Sequence, residues 1–213
     1  MSSTAIHVSE LTHDFGGLRA VDNISFTINE GELVGLIGPN GCGKSTTFNC
    51  ISGLLDPTAG EIKIMGKSTN DLRPDQINNL GITRTFQHTR LWKEMTVIEN
   101  IKFWIKLFSS NIKSEQLDEI FDLLSLDIHK NIQVNSLSRG EIRKLELCRL
   151  VIEQKKLWIL DEPYVGLDEF TIELINETFK NHIHNGGMII FSSHYHPELQ
   201  NMDTINIENY ANN

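Results

Sequence analysis

The 213-residue chain carries a formal net charge of −9, with 28 acidic against 19 basic residues. That balance excludes a broad electrostatic footprint on DNA or RNA, which needs clustered Lys and Arg, so no nucleic-acid partner is expected. The length suits one sizeable α/β core with a small inserted subdomain. Cys42, Cys50 and Cys148 show no metal-ligand spacing and fit a reducing compartment better than a disulfide framework.

No basic-then-apolar leader opens the sequence, and no run reaches the ~18–20 apolar residues needed to span a bilayer. The chain is expected to be soluble, with any membrane role carried through a partner subunit. Ile6 to Leu11 and Ile24 to Ile28 read as strands of a first sheet, and Leu33 to Ile37 as a buried strand. A helix follows from about Lys44 to Leu54. Asp56 to Gly60 is turn chemistry, after which Glu61 to Met65 reads as a strand. Asp71 to Asn79 is polar, a loop with a short helix, and Gly81 to Phe86 is a short β-branched strand.

Between Gln87 and Asn135 the character changes. Val97, Ile101, Trp104, Ile105 and Phe108 share one face at helical spacing, and Glu115 to Leu124 suggests a second helix. This is the candidate inserted subdomain. Its apolar stripe reads as ordinary core; with Trp92, part of it can instead line a groove for a partner's helix. Ser138 to Ile152 reads as a long helix with Leu145, Cys148, Val151 and Ile152 on its inner face. Leu157 to Leu160 reads as a buried strand, Asp168 to Ile183 as a helix, and Met188 to Ser192 as the final core strand. Strands alternating with helices predict a mostly parallel sheet that binds ligands at the C-terminal ends of its strands.

The strongest chemistry lies between Ile37 and the helix after it. Residues 38 to 46 read G-P-N-G-C-G-K-S-T, a complete phosphate-binding loop. Its glycines let successive N–H groups converge on one concavity that suits a di- or triphosphate. Lys44 reaches the outer phosphates there, and the Ser45 hydroxyl is placed to hold Mg²⁺. Leu157 to Glu162 is an apolar strand ending in two carboxylates. Asp161 suits Mg²⁺ binding through water, and Glu162 suits polarising the water that attacks a γ-phosphate. Gln87 and His194 leave the same predicted sheet edge: glutamine can bind the metal or its water, histidine the γ-phosphate. Ser138 with Glu141 forms a capping box, and a helix N-terminus with Ser and Gly before it is also an anion site. The pairs His182/His184 and His194/His196 lack acid or cysteine partners at ligand spacing, so zinc is not expected.

In this order the motifs resemble the nucleotide-binding subunits of ABC transporters, over nearly the whole chain. The resemblance implies an α/β fold of the P-loop NTPase (RecA-like) class, with a mostly parallel sheet, an antiparallel β subdomain and an inserted helical subdomain. One domain would cover residues 1–213, with core and β subdomain at 1–86 and 154–213 and the helical signature subdomain at about 88–153. It also implies site roles. Phe15 matches the aromatic that stacks on adenine. Gly38, Pro39, Asn40, Gly41, Cys42, Gly43, Lys44, Ser45 and Thr46 form the Walker A loop, and Gln87 is the Q-loop glutamine. Leu137 to Glu141, with Ser138, Arg139 and Gly140 on nucleotide, is the signature loop. Asp161 is the Walker B aspartate, Glu162 the catalytic glutamate, Asp168 the D-loop aspartate and His194 the switch histidine. Metal would fall to Ser45, Gln87 and Asp161.

The implied mechanism is ATP- and Mg²⁺-dependent. Two subunits, identical or paralogous, would close head to tail, each signature loop sealing ATP held by the other's Walker A. The motion would pass to transmembrane permease subunits, placing the chain on the cytoplasmic side of the inner membrane. The signature reads L-S-R-G-E where the family's usual form is L-S-G-G-Q. Phe15-Gly16-Gly17-Leu18, Phe48-Asn49-Cys50 and Arg84-Thr85-Phe86-Gln87 look like branched-chain amino-acid importer ATPases. The compact spacing from Gln87 to Ser138, Leu157 to Pro163 and Gly186-Gly187-Met188 look like the heme exporter ATPases of cytochrome c biogenesis. The importer group is the leading expectation. A soluble, non-transport ABC ATPase is the alternative from another class.

Overall fold

The computed structural model describes residues 3–85, 91–108, 112–194 and 202–207. Their contacts separate into two compact units. One holds residues up to Arg84, Lys156–Pro163 and the segment from His182 onward; the other holds Thr85–Lys155 and Tyr164–Asn181.

The first unit contains two sheets. Long strands β1 (Thr4–Phe15) and β2 (Leu18–Asn29) pair antiparallel through a tight turn at Gly16, whose φ of 59° is left-handed. β4 (Ala59–Ile64) and the short β5 (Lys67–Ser68) complete a four-stranded sheet in the order β2-β1-β4-β5. The other sheet has five strands, all paired parallel. These are β3 (Leu33–Ile37), β6 (Ile82–Arg84), β7 (Leu157–Leu160), β8 (Met188–Ser193) and β9 (Met202–Asn206), in the order β6-β7-β8-β3-β9. Its central strands are buried along their length, which is why they read as unbroken apolar runs rather than alternating ones. One core of buried side chains, including Ile6, Leu11, Ile24, Leu36, Phe48, Ile51, Ile62, Ile159 and Ile190, serves both sheets and helix α1 (Lys44–Ile51).

One expectation changes here. Met188 to Ser192 is not the last core strand, because β9 pairs with β3 beyond it. In β9 only Met202 and Ile205 are half-buried and the rest is exposed, so its sequence lacks the apolar run that marks a central strand. As expected, the polar segment after β5 contains a short helix, α2 (Pro74–Asn78), opened by Pro74 in its first turn.

The second unit is helical: α3 (Val97–Leu107), α4 (Ser114–Leu123), α5 (Arg139–Glu153) and most of α6 (Glu169–His184). Thr96 caps α3 in a reciprocal box with Glu99, and Val97, Ile101 and Trp104 supply its buried face, while Ile105 and Phe108 are only half-buried. On α5, Leu145, Cys148 and Ile152 are buried as expected, but Val151 is half-exposed; Leu147 and Leu150 are buried in its stead. Among the described residues no helix is long and apolar enough to cross a membrane.

Candidate nucleotide site

The site in the first unit forms where β3, β7 and β8 end side by side. Ile37 stands beside Ser193, and the Gly38 N–H donates to the Ser193 carbonyl at 3.3 Å, so the phosphate loop and His194 leave one edge together. His194 is exposed there. The loop turns through Gly41 at φ 86° and Gly43 at φ 97°. At Gly43 a Cβ would sit 2.5 Å from the Ala20 carbonyl oxygen on β2, so only glycine fits both the torsion and the close approach. Gly43 is also the N-cap of α1. It offers no side chain to the orphan N–H groups, and the first turn holds no acidic residue. A helix start so arranged presents donors and positive dipole to an anion.

Lys44 is buried and folded back over the loop, donating to the carbonyls of Gly38 at 2.6 Å and Pro39 at 2.8 Å. Pro39, Asn40, Gly41 and Cys42 form the loop between, with Cys42 buried and its Sγ 3.9 Å from the Lys44 ammonium. Thr46 is half-buried in the first turn of α1. Phe15 ends β1 half exposed, its ring edge-on to His13 at 4.6 Å between centroids.

The carboxylates at the end of β7 differ in environment. Asp161 is 3% exposed, and Oδ1 accepts from the Ser192 hydroxyl at 2.6 Å and the Ser45 hydroxyl at 3.3 Å. Oδ2 faces Arg84 Nη2 at 3.4 Å. Glu162 is half-buried and holds a left-handed φ of 47°, while its N–H donates to Ser192 Oγ at 2.9 Å. One β8 hydroxyl thus bridges both acids: it donates to the side chain of Asp161 and accepts from the backbone of Glu162. Sequence reasoning missed Ser192 and gave no role to Arg84, Asn49 or Ser52. The available signal was a cation at the end of a short β-branched strand, and a hydroxyl pair closing another.

The signature segment lies in the second unit. Ser138 caps α5; its N–H donates to Glu141 Oε2 at 2.6 Å, and Glu141 N–H returns to Ser138 Oγ at 3.3 Å. Glu141 Oε1 also meets His129 Nε2 at 2.6 Å. Burial opposes ionisation of Glu141, but the Ser138 donors, His129 and Lys144 outweigh it and hold the carboxyl below its usual range. Arg139 extends toward Gly166, and a Cβ on Gly140 would stand 3.3 Å from Thr171 Oγ1. Asp168 accepts from the Thr171 N–H at 2.7 Å, and that bond lowers its pKa. Phe86, Gln87, Arg90 and His196 lie outside the described residues.

His182 serves the fold rather than a metal. Its ring stacks on Trp158 at 3.7 Å and 14°, and its Nε2 meets the Lys156 carbonyl at 2.9 Å.

Similarity to known proteins agrees with this geometry. The ABC transporter family matches residues 21–165. The chain is 38% identical over 210 residues to the high-affinity branched-chain amino acid transport ATP-binding protein LivG of Salmonella typhimurium, covering 89% of this chain and 82% of that protein. It is 32% identical over 189 residues to the cytochrome c biogenesis ATP-binding export protein CcmA of Vibrio vulnificus, covering 89% and 91%. An ATP-binding cassette of an ABC transporter solved in its ADP conformation superposes with a TM-score of 0.79 at 26% identity, covering 92% of this chain and 83% of that one. A dimeric post-hydrolysis cassette bound to ADP and Pi gives 0.77 at 27% identity, covering 89% and 88%. A phosphate loop whose hydroxyl meets a buried strand-end aspartate, within this fold and these likenesses, makes the chain a member of the ABC transporter family, an ATP-binding and ATP-hydrolysing subunit.

Proposed function

We propose that Lys44 and the loop from Gly38 to Thr46 hold the phosphates of ATP, and that Glu162 orients the attacking water. The observation that carries this is the meeting of Ser45 Oγ and Asp161 Oδ1 at 3.3 Å, which puts two hard oxygen donors on one point beside the loop. That donor set fits Mg²⁺, which prefers oxygen ligands and keeps several waters. When bound, the ion offsets the charge on the β- and γ-phosphate oxygens. Phe15 is exposed enough to stack on a base, and His194 and Gln87 are assigned to the γ-phosphate and to the metal or its water. The domain is read as one ABC ATPase unit with a helical insertion.

Ser138, Arg139 and Gly140 are assigned to nucleotide held by a second subunit, with Asp168 at the same junction. ABC ATPase subunits dimerise and work with transmembrane permeases; whether this chain pairs with itself or a paralogue belongs to the proposal. So does its seat on the inner face of the membrane. Trp92, 40% exposed and packed on Phe103 at 4.1 Å, supports a docking face for such a permease.

For the transported molecule, the likeness to LivG over most of both chains favours branched-chain amino acids. A heme exporter is the second reading, favoured by the fuller coverage of CcmA's length. Co-expression with candidate permeases and reconstitution into liposomes tests both. ATP-dependent uptake of labelled leucine supports the first, and stimulation only by a cytochrome c biogenesis permease replaces it with the second. Failure of the purified chain to bind Mg²⁺–ATP would overturn the site assignment itself.

A further inference from the structure

Arg84 is the one charged residue of β6, and its side chain is only 6% exposed. Its guanidinium is anchored on α1: Nη1 donates to Asn49 Oδ1 at 2.7 Å and to Ser52 Oγ at 2.9 Å, and Cζ lies 5.9 Å from the centre of the Phe48 ring. The contact to Asp161 Oδ2, at 3.4 Å, is longer than either of these. The cation is therefore held in place by neutral groups of the helix that follows the phosphate loop, and it leans on the carboxylate rather than depending on it. Asp161 in turn is oriented through its other oxygen, by Ser192 at 2.6 Å and Ser45 at 3.3 Å.

Two consequences follow from charge. A buried carboxylate facing a fixed guanidinium has part of its charge already compensated before any other cation arrives. A divalent ion drawn to Ser45 and Asp161 meets that reduced charge and a like-signed neighbour that cannot move away. We propose that Arg84 is a positioning residue that sets the metal affinity of this site, keeping the divalent ion more weakly held than Ser45 and Asp161 alone would hold it. The inference rests on the metal–nucleotide reading of the site given above. It is opposite in sign to a purely architectural role. If Arg84 only braced Asp161, its loss would loosen the carboxylate and weaken the metal. With Ser192 still holding Oδ1, its loss instead leaves an oriented and less compensated acid.

The test titrates Mn²⁺ into the purified chain with saturating ADP, reading free Mn²⁺ by electron paramagnetic resonance. Midpoints of Mg²⁺-dependent hydrolysis are recorded beside it. Arg84→Gln is expected to tighten Mn²⁺ about fivefold or more, as removal of a neighbouring like charge does for a buried site. Arg84→Lys keeps the charge and should stay within about twofold of the parent. A folded Arg84→Gln protein with unchanged or weaker Mn²⁺ binding overturns the proposal. Should Arg84→Gln not fold, Arg84→Met decides, since it removes the charge and keeps much of the bulk: tighter Mn²⁺ binding supports the proposal, and unchanged or weaker binding overturns it. A parent chain that binds no Mn²⁺ with ADP overturns the site reading and this inference together. A parent that binds it normally while Arg84→Gln shows no tightening sinks this inference alone.

Discussion

Ser192→Ala isolates the hydroxyl that joins the two acids, and its cost can be worked from two bonds. Ser192 is fully buried; Oγ donates to the Asp161 carboxylate at 2.6 Å and accepts from the Glu162 N–H at 2.9 Å. A bond to a charged group contributes about 1.5–3 kcal/mol and a neutral one about 1 kcal/mol, so losing both should destabilise the fold by roughly 3 kcal/mol. With an m-value of ~2–3 kcal/mol/M, the urea midpoint should fall by about 1 M. The effect on turnover is separate. Glu162 keeps its carboxylate but loses one of the bonds that hold its backbone, and a misaligned base costs about tenfold in kcat. ADP affinity should move less than about threefold, because Lys44 and the loop are untouched. Ser192→Thr supplies the control. It restores the oxygen while adding a methyl to a filled site, at about 1–3 kcal/mol, so kcat should recover without the stability. If Ser192→Ala unfolds within 0.5 kcal/mol of the parent (about 0.2 M in urea) and turns over normally, the bridge is incidental.

Four further outcomes are expected. Gly43→Ala should abolish ATP binding in an equilibrium assay, since its methyl would lie 2.5 Å from the Ala20 carbonyl at a φ of 97°; retained affinity would show that the loop relaxes at little cost. Glu162→Gln should bind ATP while hydrolysis falls by at least about a hundredfold, and normal turnover would remove Glu162 as the base. Glu141→Ala should cost about 1 kcal/mol in thermal unfolding through loss of the capping box, with Glu141→Gln retaining most of it. His182 has its pKa lowered, chiefly by burial, against the opposing bonds to the Lys156 and Met188 backbone. Its share of stability is therefore full above the unfolded value of about 6.5 and is lost as pH falls through the lower folded pKa. A pH series of unfolding midpoints should show that loss and should flatten in His182→Gln.

How far the sequence discloses this molecule depends on whether a feature is local. The phosphate loop is legible because its constraint is carried by adjacent residues: Gly43 must be glycine for its torsion, and Lys44 and Ser45 follow it directly. The capping boxes at Thr96 and Ser138 are four-residue patterns, and Ser138's was readable for that reason. β7 announced itself by four apolar residues before two acids. β9 did not, because it is an edge strand in which Asp203, Thr204 and Asn206 are exposed and only Met202 and Ile205 are half-buried, too few to make an apolar run. Arg84 and Ser192 were opaque for another reason. Each gains its meaning only when the sheet order β6-β7-β8 brings it beside Asp161, 77 and 31 positions away in the chain.

That same sheet order explains why the strained residue sits where it does. Glu162 takes a φ of 47°, which costs a non-glycine residue of order 1–2 kcal/mol, and such conformations persist only where neighbours over-determine them. Here β7 ends two residues earlier, with Leu160 in register beside Phe191, and the next residue of β8 is the serine that accepts the Glu162 N–H. Had the chain continued in β conformation, Glu162 would extend the ladder. Instead the bond to a side-chain oxygen ends the strand and turns the backbone. The strain is therefore tied to placing the acid at the sheet edge where the Gly38 loop and His194 also emerge. Relief of it by Glu162→Gly would be expected to stabilise the backbone while removing the carboxylate. Unfolding measurements on that variant, set against Glu162→Gln, separate the two effects. If the glycine variant is no more stable than the glutamine one, the turn is not strained and its geometry needs another cause.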